Sequence, residues 1–268
     1  MLDGVRLKLQ RAEDHLYLFD REVKAWHDRK SIEFIFEDHT ESLSDARKHI
    51  GLPPRDVPDL PSIHRSYRVK FNTPLPPEWS IMLGDGIHNL RSSLDHLVWQ
   101  LASKPLGTGA SFVNEFPIYD TLTDFKKNSA QKLRGVSAPT RTLIQNIKPY
   151  SGGGRVGDNL VILNRLSRFD KHRVLNLVAI VPDSILVEPI KAGPVYGAFF
   201  HNVGIALKDG TVIADVMLAP DSEVNFSAHT FIHFEHGGPG DGMNTGVLLW
   251  SLKFIREDIL PKFAHLFP

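Results

Sequence analysis

Apolar positions recur at helical spacing along the first thirty residues. Val5, Leu9, Leu16, Phe19, Val23 and Trp26 lie near a 3.6-residue period and predict a first helix. The rhythm then changes. "SIEFIF" (31–36) and "SYRVKF" (66–71) alternate like strands on either side of the Pro-rich "GLPPRDVPDLP" (51–61), which predicts an antiparallel ribbon. Pro76 and Pro77 lead into a second long helix over about 78–104. There Leu83, Ile87, Leu90, Leu94, Leu97, Val98 and Leu101 gather within an arc of roughly 100°. A helical stretch at 121–147, broken near Gly135 and Pro139, precedes a helix at 159–180 capped by Asp158 or Asn159. After Pro182 come short apolar runs, "SILVEPI", "VYGAFFHNVGIAL", "TVIADVML" and "HTFIHFEH", divided by "KDG" and "APDS". These predict antiparallel strands over about 183–236. "VLLWSLKFIREDILPKFAHLF" closes the chain as a helix kinked near Pro261. The predicted class is α+β: a bundle of four or five helices (about 1–30, 78–104, 120–180 and 245–267) with an inserted β-ribbon and a small antiparallel sheet, in one domain over 1–268.

Composition narrows the function classes. The chain has 268 residues and no cysteine, so disulfide frameworks and Cys-ligated zinc or iron–sulfur sites are excluded. Charges run through the first nineteen residues, leaving no apolar signal core, and no stretch approaches the roughly 20 apolar residues of a membrane span. A soluble, cytoplasmic protein with no membrane partner is expected. Formal net charge is zero, yet 120–182 carries a net of +7 and 183–247 a net of −6. Such a pair marks an anion-binding face or two surfaces that attract each other.

The chemistry concentrates in "GIHNLRSSLDH" (86–96). His88, Arg91 and Asp95 stack in one row at spacings i, i+3 and i+7, opposite the apolar arc, with Asn89 and His96 at its edge and Ser92 beside it. Trp99 and Ile81 fall on this polar side, which predicts contact with protein or ligand. "LNRLSRFDKHRVLNL" (163–177) has the same texture: Arg165, Arg168, His172 and Asn176 share a stripe, while Asp170 falls among Leu163, Leu166, Val174 and Leu177. A carboxylate there requires a partner. The 78–104 and 159–180 helices are therefore expected to pack together, with Asp170 close to the His88–Arg91–His96 row.

Arg91 and His96 stand in an R-x4-H spacing that resembles the R-x(4–6)-H signature of the HEPN superfamily. The resemblance implies a helical bundle, often dimeric, acting as a metal-independent ribonuclease or RNA-binding domain. Arg91 and His96 would be catalytic with His88 and Asp95, Asn89, Ser92, Asp170 and His172 would support them, and Arg165, Arg168 and Lys171 would hold phosphates. Arginine stabilises the charge developing on phosphorus and histidine moves the proton, with no cofactor required. "GDGIHNLRSSLDH" together with "DKHR" also resembles segments of a group of bacterial and phage-borne proteins, which implies a shared fold.

Two alternatives stand beside this. The polar helices could form a buried structural network in a non-catalytic protein. Alternatively, His88, Asp95, His96, Asp170 and His172 could hold a divalent ion for a metal-dependent hydrolase. In "HTFIHFEH", His229, Phe231, His233 and Glu235 share one strand face, and only His233 and Glu235, about 7 Å apart, are close enough to share an ion. An exposed polar face is the simpler expectation. No G-x-S-x-G, H-E-x-x-H or G-x-G-x-x-G is present, and no G-K-[ST] follows "SGGGRVGDN".

Overall fold

Leu2, Val5, Leu9, Ala12, Leu16 and Phe19 are spaced alternately three and four residues apart, and all are buried. This stripe makes helix α1 (Asp3–Asp28) amphipathic. The computed structural model describes residues 2–53, 59–103, 106–170, 177–191, 193–235 and 242–267. The chain divides into two compact units, one of 1–23, 77–176 and 235–268, the other of 24–76 and 177–234. The α+β class is that expected.

The first unit is helical. In α3 (Glu78–Ala102) the seven apolar positions of the predicted arc are each no more than 1 % exposed. Gly86 lets α1 approach closely, since a Cβ there would lie 3.2 Å from Leu16 Cδ2. Helices α4 (Leu122–Lys132) and α5 (Ala138–Ile147) are separated at Gly135, whose φ of 84° favours glycine. Thr121 caps α4 by accepting from the Asp124 N–H at 3.1 Å. Helix α6 (Arg155–Asp170) packs on α3, and α7 (Gly246–Lys253) packs on both.

The predicted 159–180 helix is displaced at both ends. Asp158 does not cap it; its carboxylate accepts from the Gly152 N–H at 2.8 Å, folding the glycine loop onto a helix that has already begun at Arg155. At the other end Leu177 already pairs with Phe234 in a β-ladder, in a Val- and Ile-rich run suited to a strand. The kink expected near Pro261 is a π-helical turn over Phe254–Ile259, followed by α8 (Pro261–Ala264). Pro261 lacks an N–H and its ring would strike the carbonyl four residues back, so the turn widens and the Leu260 N–H bonds to Ile255 O at 3.0 Å.

The second unit is a β-layer structure with one short helix. Strands β1 (Ile32–Ser42) and β2 (Pro61–Phe71) form the expected ribbon, longer than the alternation suggested. It is not separate from the later strands. β5 (Val212–Leu218) pairs with β2 and β4 (Val195–Phe200) pairs with β5, giving an antiparallel sheet in the order β1-β2-β5-β4. β3 (Leu177–Pro189) and β6 (Val224–Glu235) form a second antiparallel ribbon. Its Phe226 stacks on Tyr67 with ring centroids 3.9 Å apart and meets Phe34 edge-on at 5.7 Å. Alternation sends the neighbouring residues of β1 and β2 to the opposite face. Helix α2 (Leu43–His49) lies on that face, capped by Ser42 and anchored where Leu43 and Ala46 pack on Met217.

No helix among the described residues is long and apolar enough to cross a membrane. Truncating the Phe226 ring should loosen the β3–β6 ribbon from the sheet. Phe226→Ala is expected to cost about 2 kcal/mol in urea unfolding, with Phe226→Leu recovering part of the loss.

Candidate metal centre

Cross-strand pairing fixes which side chains share the α2 face. Glu41 lies opposite Ser62, His39 opposite His64, and Ser66 opposite Asp215. His64 is buried and uses both ring nitrogens: Nδ1 is 3.1 Å from Glu41 Oε1, and Nε2 is 2.9 Å from Asp215 Oδ1. The other Glu41 oxygen, Oε2, is 2.7 Å from Nδ1 of His49, the last residue of α2. The two imidazoles lie near-parallel, with centroids 6.3 Å apart. Ser62 holds the strand at Glu41 by donating to its backbone carbonyl at 2.9 Å.

Asp215 sits in β5 between buried Ala214 and Val216. Its Oδ1 also accepts from the Ser66 hydroxyl, and Oδ2 is 2.8 Å from His201 Nε2. Burial pushes this carboxyl up, but the hydrogen bonds from Ser66, His64 and His201 outweigh it and hold it below the usual Asp range. His201 follows β4 and still bonds to Ile213 O through its N–H at 2.8 Å, so its ring falls on the Asp215 side.

One ring nitrogen of His49, one of His64 and one Glu41 oxygen all lie within 4.8 Å of one another, the single such grouping of three among the described residues. Donors around a tetrahedral ion at 2.0–2.1 Å stand about 3.3 Å apart, so small shifts would close this set on a cation. Two imidazoles and a carboxylate suit zinc and its borderline neighbours. Of the three, His49 lines a cleft of about 640 Å³ that Phe200, His201, Asn202, Val212 and Asp215 also wall. Three protein ligands would leave a fourth position for water or substrate.

The residues expected from the 86–96 stretch are arranged differently. Arg91 is buried, its side chain only 7 % exposed. Nε donates to Asn164 Oδ1 at 3.2 Å, Nη2 donates to Phe116 O at 3.0 Å, and Nη1 pairs with Asp95, which also accepts from the Phe116 N–H at 2.9 Å. His96 turns toward α1: a Cβ on Gly4 would lie 2.6 Å from its Nε2, and burial, then Lys8, lowers its pKa. Arg91 and His96 thus diverge, one toward α6 and the 116 segment, the other toward α1. His88 is exposed and Ser92 half-buried, while Asn89 donates to the Asp85 carbonyl one turn back. Trp99 and Ile81, on the polar side, are exposed.

Helices α3 and α6 do pack together, and Asp170 reaches α3 at Gly84, where a Cβ would lie 2.6 Å from its Oδ1. Burial raises the Asp170 carboxyl; His88 pulls it back and Asp85 pushes it further. Arg165 pairs with Asp120 at 2.8 Å and Arg168 approaches the same carboxylate at 4.0 Å, so the two cations meet an acid of their own chain. Lys171, His172 and His236 lie outside the described residues; the other four members of the five-residue metal set, His88, Asp95, His96 and Asp170, are described, and no three of them bring donors together. His229 and Phe231 are exposed on β6, as an exposed polar face requires.

Sequence reasoning passed over Glu41, His49, His64, Ser66, His201 and Asp215. Two signals in the sequence mark them: a lone carboxylate inside the apolar run "TVIADVML", and the alternation Ser62-x-His64-x-Ser66 running into the strand expected at 66–71. No family model, curated protein or solved structure matches the chain.

Arg91→Ala leaves Asp95 and the Phe116 carbonyl without their cation and is expected to cost about 2–3 kcal/mol in urea unfolding, with Arg91→Lys recovering only a fraction. Asp170 titrates higher in the folded chain than in the unfolded one. Its destabilising effect is therefore absent below the unfolded Asp range and grows as pH rises through it. Asp170→Asn should raise Tm at pH 7, with the gain shrinking toward zero as thermal melts are taken down to pH 3.

Proposed function

We propose that this protein is a metal-dependent hydrolase whose ion sits on Glu41, His49 and His64. One observation carries the reading: three nitrogen and oxygen donors from β1, α2 and β2 converge beside a cleft that one of them, His49, lines, and the most buried of them, His64, is backed by a buried carboxylate. That backing is characteristic of metal-bound imidazoles. A carboxylate on the far ring nitrogen fixes the tautomer and the ring's orientation, and raises the basicity of the ligating nitrogen. A divalent ion here would lower the pKa of a bound water and polarise the ester bound beside it. The cleft wall supplies imidazole and amide groups for a polar ester, with Phe200 and Val212 beside its apolar part.

Metal removal tests this directly. Chelator-stripped protein titrated with zinc in a calorimeter is expected to bind one equivalent. Glu41→Gln and His64→Ala should weaken binding by about 100-fold or more, and Asp215→Asn by about 10–100-fold. Zinc affinity unchanged in all three variants would sink the proposal. A metal-independent ribonuclease at Arg91 and His96 would behave oppositely: RNA cleavage would survive chelation and be lost in His96→Ala.

A further inference from the structure

We infer that the cleft lined by Asp215 is a binding site for an organic ammonium ion, whose N–H groups meet the Asp215 side and whose apolar part lies on Phe200. The wall concerned is Phe200, His201, Asn202, Val212 and Asp215. It contains neither Glu41 nor His64, so the site goes beyond the metal centre proposed above and stands with or without it. No lysine or arginine lines the cleft, and its one carboxylate is Asp215. Against the upward push of burial, hydrogen bonds from Ser66, His64 and His201 keep that carboxyl below the usual Asp range, so it is charged at neutral pH. Behind it stands a second carboxylate, Glu41, with the His64 imidazole between the two. One imidazole offsets at most one of these charges. His49 and His201, the other titratable groups at the cleft, add positive charge only when protonated, so above the ordinary imidazole range the site is negative.

Hydrogen bonding gives the wall the same polarity. A carboxylate only accepts, so His201 donates its Nε2–H to Asp215 Oδ2 at 2.8 Å. Nδ1 of the neutral ring is then an acceptor, and it has no partner among the described residues. The ring is 36 % exposed, against 10 % for the Asp215 side chain. Asn202 is oriented by donating from Nδ2 to Val212 O at 2.8 Å, and its Oδ1 is a second acceptor without a partner among the described residues. Its left-handed φ of 56° follows the ladder bond from the His201 N–H to Ile213 O, so backbone and side chain are both fixed before anything binds.

A wall of acceptors beside a carboxylate selects a ligand that brings donors and positive charge. An ammonium group has three N–H donors and accepts nothing, whereas a carboxylate or phosphate would meet like charge and lone pairs. The apolar side of the cleft makes the cation an organic one. Phe200 is 46 % exposed and Val212 half-buried, so an alkyl or aryl substituent has a surface to cover, and the ring adds its attraction for a cation.

The test is an NMR titration of the isotope-labelled full chain, chelator-treated, at about pH 8, above the ordinary imidazole range. Benzylammonium is the probe; benzyl alcohol and phenylacetate keep its ring and remove or reverse its charge. Benzylammonium is expected to saturate and to move the side-chain signals of Phe200, His201 and Asn202, with benzyl alcohol weaker by about tenfold or more and phenylacetate not binding. Equal affinity for the three compounds, or shifts confined to other parts of the chain, overturns the ammonium site. His201→Lys still donates to Asp215 but places a fixed cation in the wall, and is expected to weaken benzylammonium by about tenfold or more. Phe200→Ala removes an exposed ring and should weaken it by about threefold. Wild-type affinity in both variants overturns the site. A chain that binds zinc but not benzylammonium loses the ammonium site and keeps the metal centre, and the converse result keeps the ammonium site alone.

Discussion

A carboxylate buried in the middle of an apolar strand is the constraint around which the β-unit is arranged. Asp215 has buried apolar neighbours along β5, and an ionised acid there is costly unless every lone pair finds a donor. The donors come from different parts of the chain: Ser66 and His64 from β2, and His201 from the end of β4. Through His64 the network extends to Glu41 on β1 and His49 on α2. Strand order and register thus have a chemical consequence. Only the pairing of Ser66 with Asp215, and of His39 with His64, sets these groups on one face. A slip of one residue would send them to the side occupied by Tyr67 and Phe226.

The chain contains two polar networks, and comparing them separates support from chemistry. Around Arg91 each guanidinium nitrogen has a partner, the partners are backbone groups or side chains of the same helical unit, and the cation is sealed from solvent. Such a network specifies how α3, α6 and the 116 segment meet, with all three guanidinium nitrogens engaged inside the fold. Around Asp215 the buried end is just as well satisfied, but the chain of contacts runs outward to two imidazoles that reach solvent, His49 and His201. A network saturated inside and open outside is preorganised, its fixed part being held by the fold before anything binds.

How legible each part was in the sequence follows from the range of the interactions that determine it. The 3.6-residue stripe of α3 is local, so the expected 78–104 and the observed Glu78–Ala102 agree closely. The break between α4 and α5 is also local, set by a glycine that needs positive φ. The start of α6 was not, because it depends on Asp158 reaching six residues back to Gly152 in place of capping its own helix. The polar network around Asp215 is the least legible. Its members stand at 41, 49, 64, 201 and 215, and the His64–Asp215 bond spans 151 residues. Polar residues that sit close in sequence, as in "GIHNLRSSLDH", draw notice for that reason. Proximity along a helix nevertheless sends side chains to different neighbours, as Arg91 and His96 show.

The same contrast explains why Glu41, His49 and His64, the residues of the proposed ion site, are unequal. Glu41 and His64 lie on paired strands, are nearly buried, and inherit the rigidity of the ladder. His49 stands at the end of a seven-residue helix with its side chain 69 % exposed, held over the sheet by Leu43 and Ala46 packing on Met217. A helix that short has little stability of its own, so its position is owed to the Ser42 cap and to that apolar contact. The strand ligands therefore set where an ion would lie, and the helix ligand sets how readily it enters and leaves. Of the three, the adjustable imidazole is also the one that walls the cleft, so the part of the network least fixed by the ladder is the part that meets solvent.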